Sequence, residues 1–407
     1  MKALLLFAMV ALRNVRRNRR RSLFTIIAIS FGLFCLIVFQ ALKVGLHREM
    51  TDGTVLLETG SLQVHAAGFE TNLASLRPIA DPELVAAALK KNGVTTFSRR
   101  IRTPALLLSG EGSSTVILTG VDPKAEPLVT RISKKITAGR YLEDNDRILI
   151  GDDLAKSLGV APGGKLTLMA QDPMGRPVIG KFVIGGVYRT ELASFNRSRV
   201  FLPLAAAQSF LHAEGVVTEI AALTKRDREE EIAAGLARLL PSSAYQVRSW
   251  QRIAPDLSQL IEMNDATMRL LILIVFAIVA LGITNTMTMT VYERFRELGV
   301  LTAIGTSPSG ILTMIALESL FIGAVATLFG SMAGIGACAW LARHGIDMTH
   351  FTSSNQFFAM THVIKAHLLP RDLLAADGVA LATSFLAGLY PAWKAARLEP
   401  VKAIGHT

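Results

Sequence analysis

Residues 13–44 read RNVRRNRRRSLFTIIAISFGLFCLIVFQALKV, and the fold class turns on them. Arg13, Arg16, Arg17, Arg19, Arg20 and Arg21 occur with no acidic residue among them, and from Ser22 to Gln40 there is no charge at all before Lys43. An uncharged run of this length suits a helix crossing about 30 Å of hydrocarbon. A basic block beside such a run is what the positive-inside rule describes, so it places the N-terminal side in the cytoplasm. The net charge of +11 is therefore read as topology-setting charge, not as a nucleic-acid footprint. Ahead of the block, the apolar stretch comes first and the arginines follow, with no small-residue cleavage site, which is the wrong order for a signal peptide. Leu5, Ala8, Leu12 and Val15 fall on one helical face, so residues 1–21 are predicted to form a basic amphipathic helix at the cytoplasmic interface.

Working outward, residues 22–44 are the first span, and three more follow at 268–290, 311–341 and 373–390. The third is glycine-rich, with Gly323, Gly330, Gly334 and Gly336; Gly330 and Gly334 make a GxxxG spacing that lets another helix approach closely. The fourth contains Asp377, and Pro391 is expected to mark its end. Four spans return the C-terminus to the cytoplasm, and the 391–407 tail agrees, with Lys394, Arg397 and Lys402 against Glu399. Residues 45–267 and the 342–372 loop then lie on the periplasmic side, and 291–310 on the cytoplasmic side. A composition of 51% hydrophobic and 18% charged residues fits a membrane protein with a sizeable soluble domain. Aromatic content of 7% argues against a transmembrane β-barrel with aromatic girdles. Cys35 and Cys338 both sit in apolar spans, so neither can staple the soluble domain, and no metal-type Cys/His cluster occurs.

The 45–267 insert alternates short β-branched runs with helical ones, which predicts a mixed α/β domain with two lobes. Strands are expected at 61–65, 115–119, 147–150, 165–169, 181–188, 199–202 and 219–223. Helices are expected at 82–91, 153–158, 204–211 and 227–240. Gly163-Gly164 and Asp172-Pro173 read as turns. Residues 44–57 and 253–267 continue the flanking spans as helices, forming a stalk expected to carry motion. Nothing catalytic emerges. Residues 175–181, GRPVIGK, begin like a phosphate-binding loop, but Phe182 stands where a magnesium-holding hydroxyl is needed and a strand follows where a helix is required. His65 and His212 lack partners at ligand spacing, and neither a nucleophile elbow nor an HExxH sequence is present. Chemical energy, if used, must come from another chain.

Residues 291–305 read VYERFRELGVLTAIG. Val291, Phe295, Leu298 and Leu301 share a helical face, and Glu293, Arg294, Arg296 and Glu297 supply charges of both signs, with Glu293–Arg296 and Glu293–Glu297 as helical neighbours. Gly305 and Ser307-Pro308-Ser309 stop the helix. A short amphipathic helix between spans can dock into a groove of a soluble partner, and a solvated chain reversal fits the same residues. Glu318, an intramembrane carboxylate, is read as a structural member of the bundle rather than as a transport site, and Asp377 invites the same choice.

The ER-x-x-ELG-x-L-x-A-x-G pattern of 293–305, followed by Leu317-Glu318-Ser319 and the glycine-rich span, resembles permeases of the MacB/FtsX/LolC type. The end, LYPAWKAARLEPV at 389–401, and the entrance, ALRN at 11–14 with RSL at 21–23, are similar too. Residues 151–164, FLPLAAAQ at 201–208 and 250–260 resemble the family's periplasmic core domain, so the likeness covers essentially the whole chain. The resemblance implies an inner-membrane permease dimer, with an identical or related second copy, above two cytoplasmic ABC ATPase subunits that hold the ATP and magnesium; this chain itself would carry no cofactor. It implies that Glu293, Arg294, Phe295, Arg296, Glu297, Leu298, Gly299, Ala303 and Gly305 belong to a coupling helix, while Gly330, Gly334 and Glu318 serve packing within the membrane. ATPase closure would tilt the spans and rearrange the outer domain, a mode called mechanotransmission. The substrate class favoured is a lipoprotein taken from membrane lipid to a periplasmic carrier. Two alternatives remain: efflux of peptides, antibiotics or other amphiphiles with a periplasmic adaptor, and FtsX-like signalling to a periplasmic cell-wall hydrolase.

Overall fold

The computed structural model describes residues 13, 19–69, 76–110, 112–142, 147–347 and 363–397. Most of the predicted N-terminal amphipathic helix and the final stretch of the tail lie outside the described residues. The chain divides into two compact units. One comprises the residues up to His47, Glu262–Asp347 and those from Val363 onward; the other is built on Arg48–Ile261.

Four helices among the described residues are long and apolar enough to cross a membrane. They are α1 (Arg19–Thr54), α2 (Pro255–Glu293), α4 (Pro308–His344) and α5 (Pro370–Ala396), with the short α3 (Phe295–Ala303) between α2 and α4. Each predicted span falls inside one of these. α1 continues without a break to Thr54 and closes in a π turn at Val55–Thr59, as the outward continuation predicted. Ser307 caps α4 by accepting from the Gly310 N–H at 3.2 Å, and Pro308 takes the first turn, where its missing N–H costs nothing.

Small residues set the helix packing. A Cβ at Gly330 would stand 2.8 Å from the Ser30 carbonyl oxygen, and one at Gly334 would stand 3.0 Å from the Ile37 side chain, so the GxxxG face of α4 seats α1. On another side of α4 the fit to α5 is reciprocal: Gly323 faces Ser384 and Gly388 faces Ser319, each too close to admit a methyl group. Ser331 donates to the Asp377 carboxylate at 2.6 Å, which satisfies that intramembrane acid within the bundle. Lys43 of α1 pairs with Asp265 of α2 at 2.8 Å.

The expected stop at Pro391 is a correction. α5 runs through Pro391 to Ala396. Proline has no N–H to offer the carbonyl four residues back, at Ala387. Thr284 of α2 supplies the missing donor, its hydroxyl meeting the Ala387 carbonyl oxygen at 3.0 Å. A hydroxyl from a neighbouring helix is a recognised way to satisfy a proline-freed carbonyl in hydrocarbon. Thr284→Val is expected to destabilise the bundle by about 1 kcal/mol, while Thr284→Ser keeps the bond. Thermal unfolding of the two variants in detergent checks this; equal midpoints would remove the hydroxyl from the account.

The second unit is a mixed sheet of ten strands in the order β10-β1-β9-β2-β3-β8-β5-β7-β4, with β6 bridging β2 and β7. The strands are β1 (Leu62–Ala66), β2 (Phe97–Leu108), β3 (Ser113–Val121), β4 (Ile136–Gly139), β5 (Arg147–Gly151), β6 (Lys165–Gln171), β7 (Pro177–Tyr188), β8 (Arg199–Pro203), β9 (Glu219–Ala222) and β10 (Tyr245–Ser249). Pairings β3–β8 and β5–β7 are parallel; the others are antiparallel. Beside a smaller apolar cluster of Leu149, Tyr188, Phe195 and Phe201, two larger cores fill this unit. One packs Val85, Leu89, Ile232 and Leu236 from helices Pro82–Lys91 and Glu229–Leu239 against β1, β9 and β10. The other packs Leu107, Leu118, Ile148, Leu168 and Leu202 beneath Leu154, Ala207 and Leu211. Asp81 caps the first of these helices by accepting from the Glu83 and Leu84 N–H groups at 2.9 and 3.0 Å.

The seven predicted strands are present, and β2, β4 and β10 are additions to them. The GRPVIGK stretch is the β6–β7 hairpin, where Asp172 accepts from the Met174 and Arg176 N–H groups at 2.9 Å each and Gly175 takes φ +79°. It turns a hairpin and opens no helix.

Candidate functional site

The most tightly tied point in the membrane unit is the corner where α2 passes into α3. α2 ends at Glu293; Arg294 leaves helical geometry at φ −105°, ψ 14°; and α3 starts at Phe295. The apolar face expected from the sequence turns inward: Val291 and Leu298 are buried with Ile311, Met314 and Ile315 of α4 and with Ala392 and Ala395 of α5, and Leu301 packs on them. Gly299 is buried, and Gly305, at φ +98°, takes a backbone conformation that side chains resist, so the chain can turn into α4.

One expectation needs correction here, the pairing of Glu293 with Arg296. Arg294, one of the charges set around the apolar face, is 6% exposed. Its Nη1 donates to Glu318 of α4 at 3.1 Å and its Nε to Glu297 of α3 at 3.2 Å. Glu318 is 4% exposed, and this guanidinium holds its carboxylate within the bundle. Glu293 does not serve Arg296, because the break at Arg294 takes the two residues off a common helix. Instead the Arg21 guanidinium grips Glu293 through two bonds of 2.8 and 2.7 Å, the fork-to-carboxylate geometry that is strongest among charged pairs.

Tyr292 completes the corner. Lys394 of α5 donates to its hydroxyl at 2.6 Å and lies 5.0 Å from its ring centre. Residues 292–297 thus carry a polar handle for each long helix: Arg21 from α1, Glu318 from α4, Lys394 from α5, and α2 by covalent continuity. Sequence reading missed Arg21, Tyr292 and Lys394 as partners, since helices meet across spacings of about a hundred residues or more that no local periodicity encodes. Arg296, Val300 and Ile304 remain exposed at i, i+4, i+8 on the outer face of α3, with Ala303 beside them. That face presents Arg296 and two apolar side chains, with Glu297, 48% exposed, at its edge.

The extramembrane unit holds a second ionic assembly, which sequence reading did not anticipate. Arg100 of β2, 3% exposed, donates to Glu126 through Nε and Nη2 at 3.0 and 2.7 Å and to Glu219 of β9 through Nη1 at 2.6 Å. Arg102 and Arg199 both bind Glu58, Arg199 at 2.6 Å. Burial pushes the Glu219 carboxyl up, but the charges of Arg100, Arg102 and His65 outweigh it and hold the group below its ordinary value. Burial likewise opposes the Arg100 charge, and the two glutamates reverse that and raise it. His65 goes the other way: burial lowers it more than Glu219 raises it. The sequence signal, in hindsight, was Arg100 and Arg102 at i, i+2, a spacing that puts both on one face of a strand. The described residues hold no His/Cys/Asp/Glu group able to ligate a metal.

A helical membrane unit of four spans with a large α/β insert between the first and second is the architecture of a transporter permease with an extracytoplasmic domain. Comparison with known proteins agrees along the whole chain. The MacB-like periplasmic core domain model matches residues 22–239 and the FtsX-like permease C-terminal model matches residues 269–400. A lipoprotein-releasing system transmembrane protein LolC from Xylella fastidiosa strain Temecula1 is 26% identical, with 98% of each chain covered. The macrolide export ATP-binding/permease protein MacB 2 of Aeromonas hydrophila is 25% identical over 98% of this chain and 60% of its own length. The periplasmic region of MacB from Actinobacillus actinomycetemcomitans superposes with a TM-score of 0.35 at 14% identity, over 51% of this chain and 95% of that one. The chain belongs to the LolC/MacB family of ABC-transporter permeases and is a multi-pass protein of the bacterial inner membrane.

Proposed function

We propose that the chain is the permease subunit of a lipoprotein-releasing ABC transporter that works by mechanotransmission. The observation that carries this is the end-to-end match to the LolC protein, 98% of both chains, against 60% of the length of the MacB protein. In this reading both termini are cytoplasmic, the α/β unit is periplasmic, and a separate ATPase with its ATP and magnesium engages α3 from below. Arg296, Val300 and Ile304 are its contact face, because Arg294 is buried and Glu293 is already engaged by Arg21. Force on α3 passes to α1, α4 and α5 through Arg21, Glu318 and Lys394. Export of an amphiphile, as the macrolide-export name of the MacB relative suggests, is the second reading, supported by 25% identity over 98% of this chain.

The test is purification of the full chain from its own host in mild detergent, with the co-purifying proteins identified by mass spectrometry. A separate ABC ATPase is expected, together with lipoproteins. Val300→Asp with Ile304→Asp is expected to lose the ATPase while the chain stays folded. An extracytoplasmic adaptor in place of lipoproteins would favour export. A preparation without any ATPase, under conditions that keep other transporters intact, would overturn the assignment.

A further inference from the structure

The extramembrane unit contains an open cavity of about 430 Å³, within the ~300–1,000 Å³ range of small-molecule sites. Its lining divides by chemistry. Arg102, Arg199 and Arg248 supply three guanidinium groups, and Glu58 is the one carboxylate among the described lining residues. Phe69, Ile117 and Ile253 supply an apolar wall, stiffened where Phe69 stacks on the buried His65 ring at 4.0 Å.

The cationic side is pre-organised. Glu58 sits between Arg102 and Arg199 and fixes both, and Ser198 accepts from Arg199 Nη1 at 3.2 Å. Among the described residues the Arg102 side chain makes one hydrogen bond, to Glu58, out of the five N–H donors a guanidinium carries. Its Nη1 also lies 3.7 Å from Glu219, an ion pair too long for a hydrogen bond, so the group is held in place while keeping donors for an occupant. Arg248 is half-buried in the same wall; burial, and then the neighbouring charge of Arg252, lower its affinity for its proton. Planar forks of this kind recognise carboxylates and phosphates through paired bonds.

We propose that this cavity binds a small amphiphile with a carboxylate or phosphate head, the head on Arg102, Arg199 and Arg248 and the apolar body against Phe69, Ile117 and Ile253. The proposal concerns the extramembrane unit by itself and stands whether or not the chain releases lipoproteins.

The test uses the full chain in non-ionic detergent, with octanoate, octyl phosphate, octanol and inorganic phosphate titrated separately by calorimetry. Octanoate or octyl phosphate is expected to saturate at one site per chain, and whichever binds more tightly identifies the head. Arg248→Gln is expected to weaken that binding at least tenfold. Ile117→Trp fills the cavity from its apolar side without touching a charge, and is expected to abolish it. Circular dichroism and an unchanged unfolding transition establish that each variant is folded, and the tryptophan variant carries the test if the glutamine variant is not. Equal binding of octanol would mean partition into micelles and overturn the proposal. Equal binding of inorganic phosphate would remove the apolar wall and overturn the amphiphile. Undiminished binding in the folded variants, or no saturable binding of either charged probe, would overturn it too.

Discussion

Arg100→Ala is expected to cost the extramembrane unit about 3–5 kcal/mol, the usual penalty for breaking a buried ion pair from one side. The side chain is nearly inaccessible and so are its two acidic partners, Glu126 and Glu219. Removing the guanidinium leaves two carboxylates in a desolvated pocket, with Thr130 at 2.9 Å from Glu126 and the more distant Arg102 at 3.7 Å from Glu219. A loss of this size is a large share of the stability of a typical domain. Thermal unfolding of the full chain, with trypsin resistance of the insert as a second readout, checks it. Replacing Arg100, Glu126 and Glu219 together by apolar residues of similar size is expected to recover most of the loss, because the penalty lies in stranding charge, not in lacking it. An alanine variant that unfolds like the parent would show that water reaches the site. The pH dependence has a definite sign. Glu219 titrates below its ordinary value of 4.5 in the folded state, so its contribution is fully present above that value and fades as the pH falls through the lowered one. The alanine variant should show a weaker acid dependence than the parent.

The same cluster explains which parts of the fold sequence reading could see. Spans were legible because lipid demands a long, predominantly apolar run, and 22–44, 268–290 and 311–341 supply one each. Helix Pro82–Lys91 was legible to the residue, because Asp81 and Pro82 are local start signals whose chemistry needs no distant partner. β2 was not. Its sequence, FSRRIRTPALLL, carries three arginines and a proline, each a mark against a central strand. It occupies the middle of the sheet nonetheless, because Glu126 and Glu219 arrive from elsewhere in the chain to neutralise Arg100. Pro391 misled for a related reason: the residue that lets the helix continue, Thr284, lies 103 positions before the Ala387 carbonyl it satisfies. In residues 291–305 the amphipathic face and the terminal glycine could be read from spacing. The inward turn of Arg294 could not, since it depends on where α4 puts Glu318.

Arg294 therefore supports the second large prediction, which rests on the permease reading. α3 is a nine-residue helix, too short to be stable alone. Its position comes from Leu298 in the apolar pad and from Arg294, which ties the α2–α3 break to α3 through Glu297 and to α4 through Glu318. If ATPase motion enters at α3, this guanidinium is the stiff link that makes α4 follow, and Arg294→Ala should act as an uncoupling change. In the reconstituted transporter the variant is expected to keep its ATPase, since Arg296, Val300 and Ile304 are untouched. It should hydrolyse ATP within a few-fold of the parent, but its transport per ATP should fall about tenfold or more, as expected when a link worth more than 1.4 kcal/mol is lost. Glu318→Gln keeps the shape and one bond to Arg294, and should fall between the two. The exchanged pair, Arg294→Glu with Glu318→Arg, should regain part of the transport if the charge pairing itself matters. Should Arg294→Ala transport at the parent's ratio while Leu298→Ala does not, the apolar pad carries the motion and the ion pair serves only to neutralise Glu318. Arg21→Ala provides the comparison on the other side of the corner: its bond to Glu293 is partly exposed and flanks the break without crossing it, so its loss should trim transport much less than the loss of Arg294.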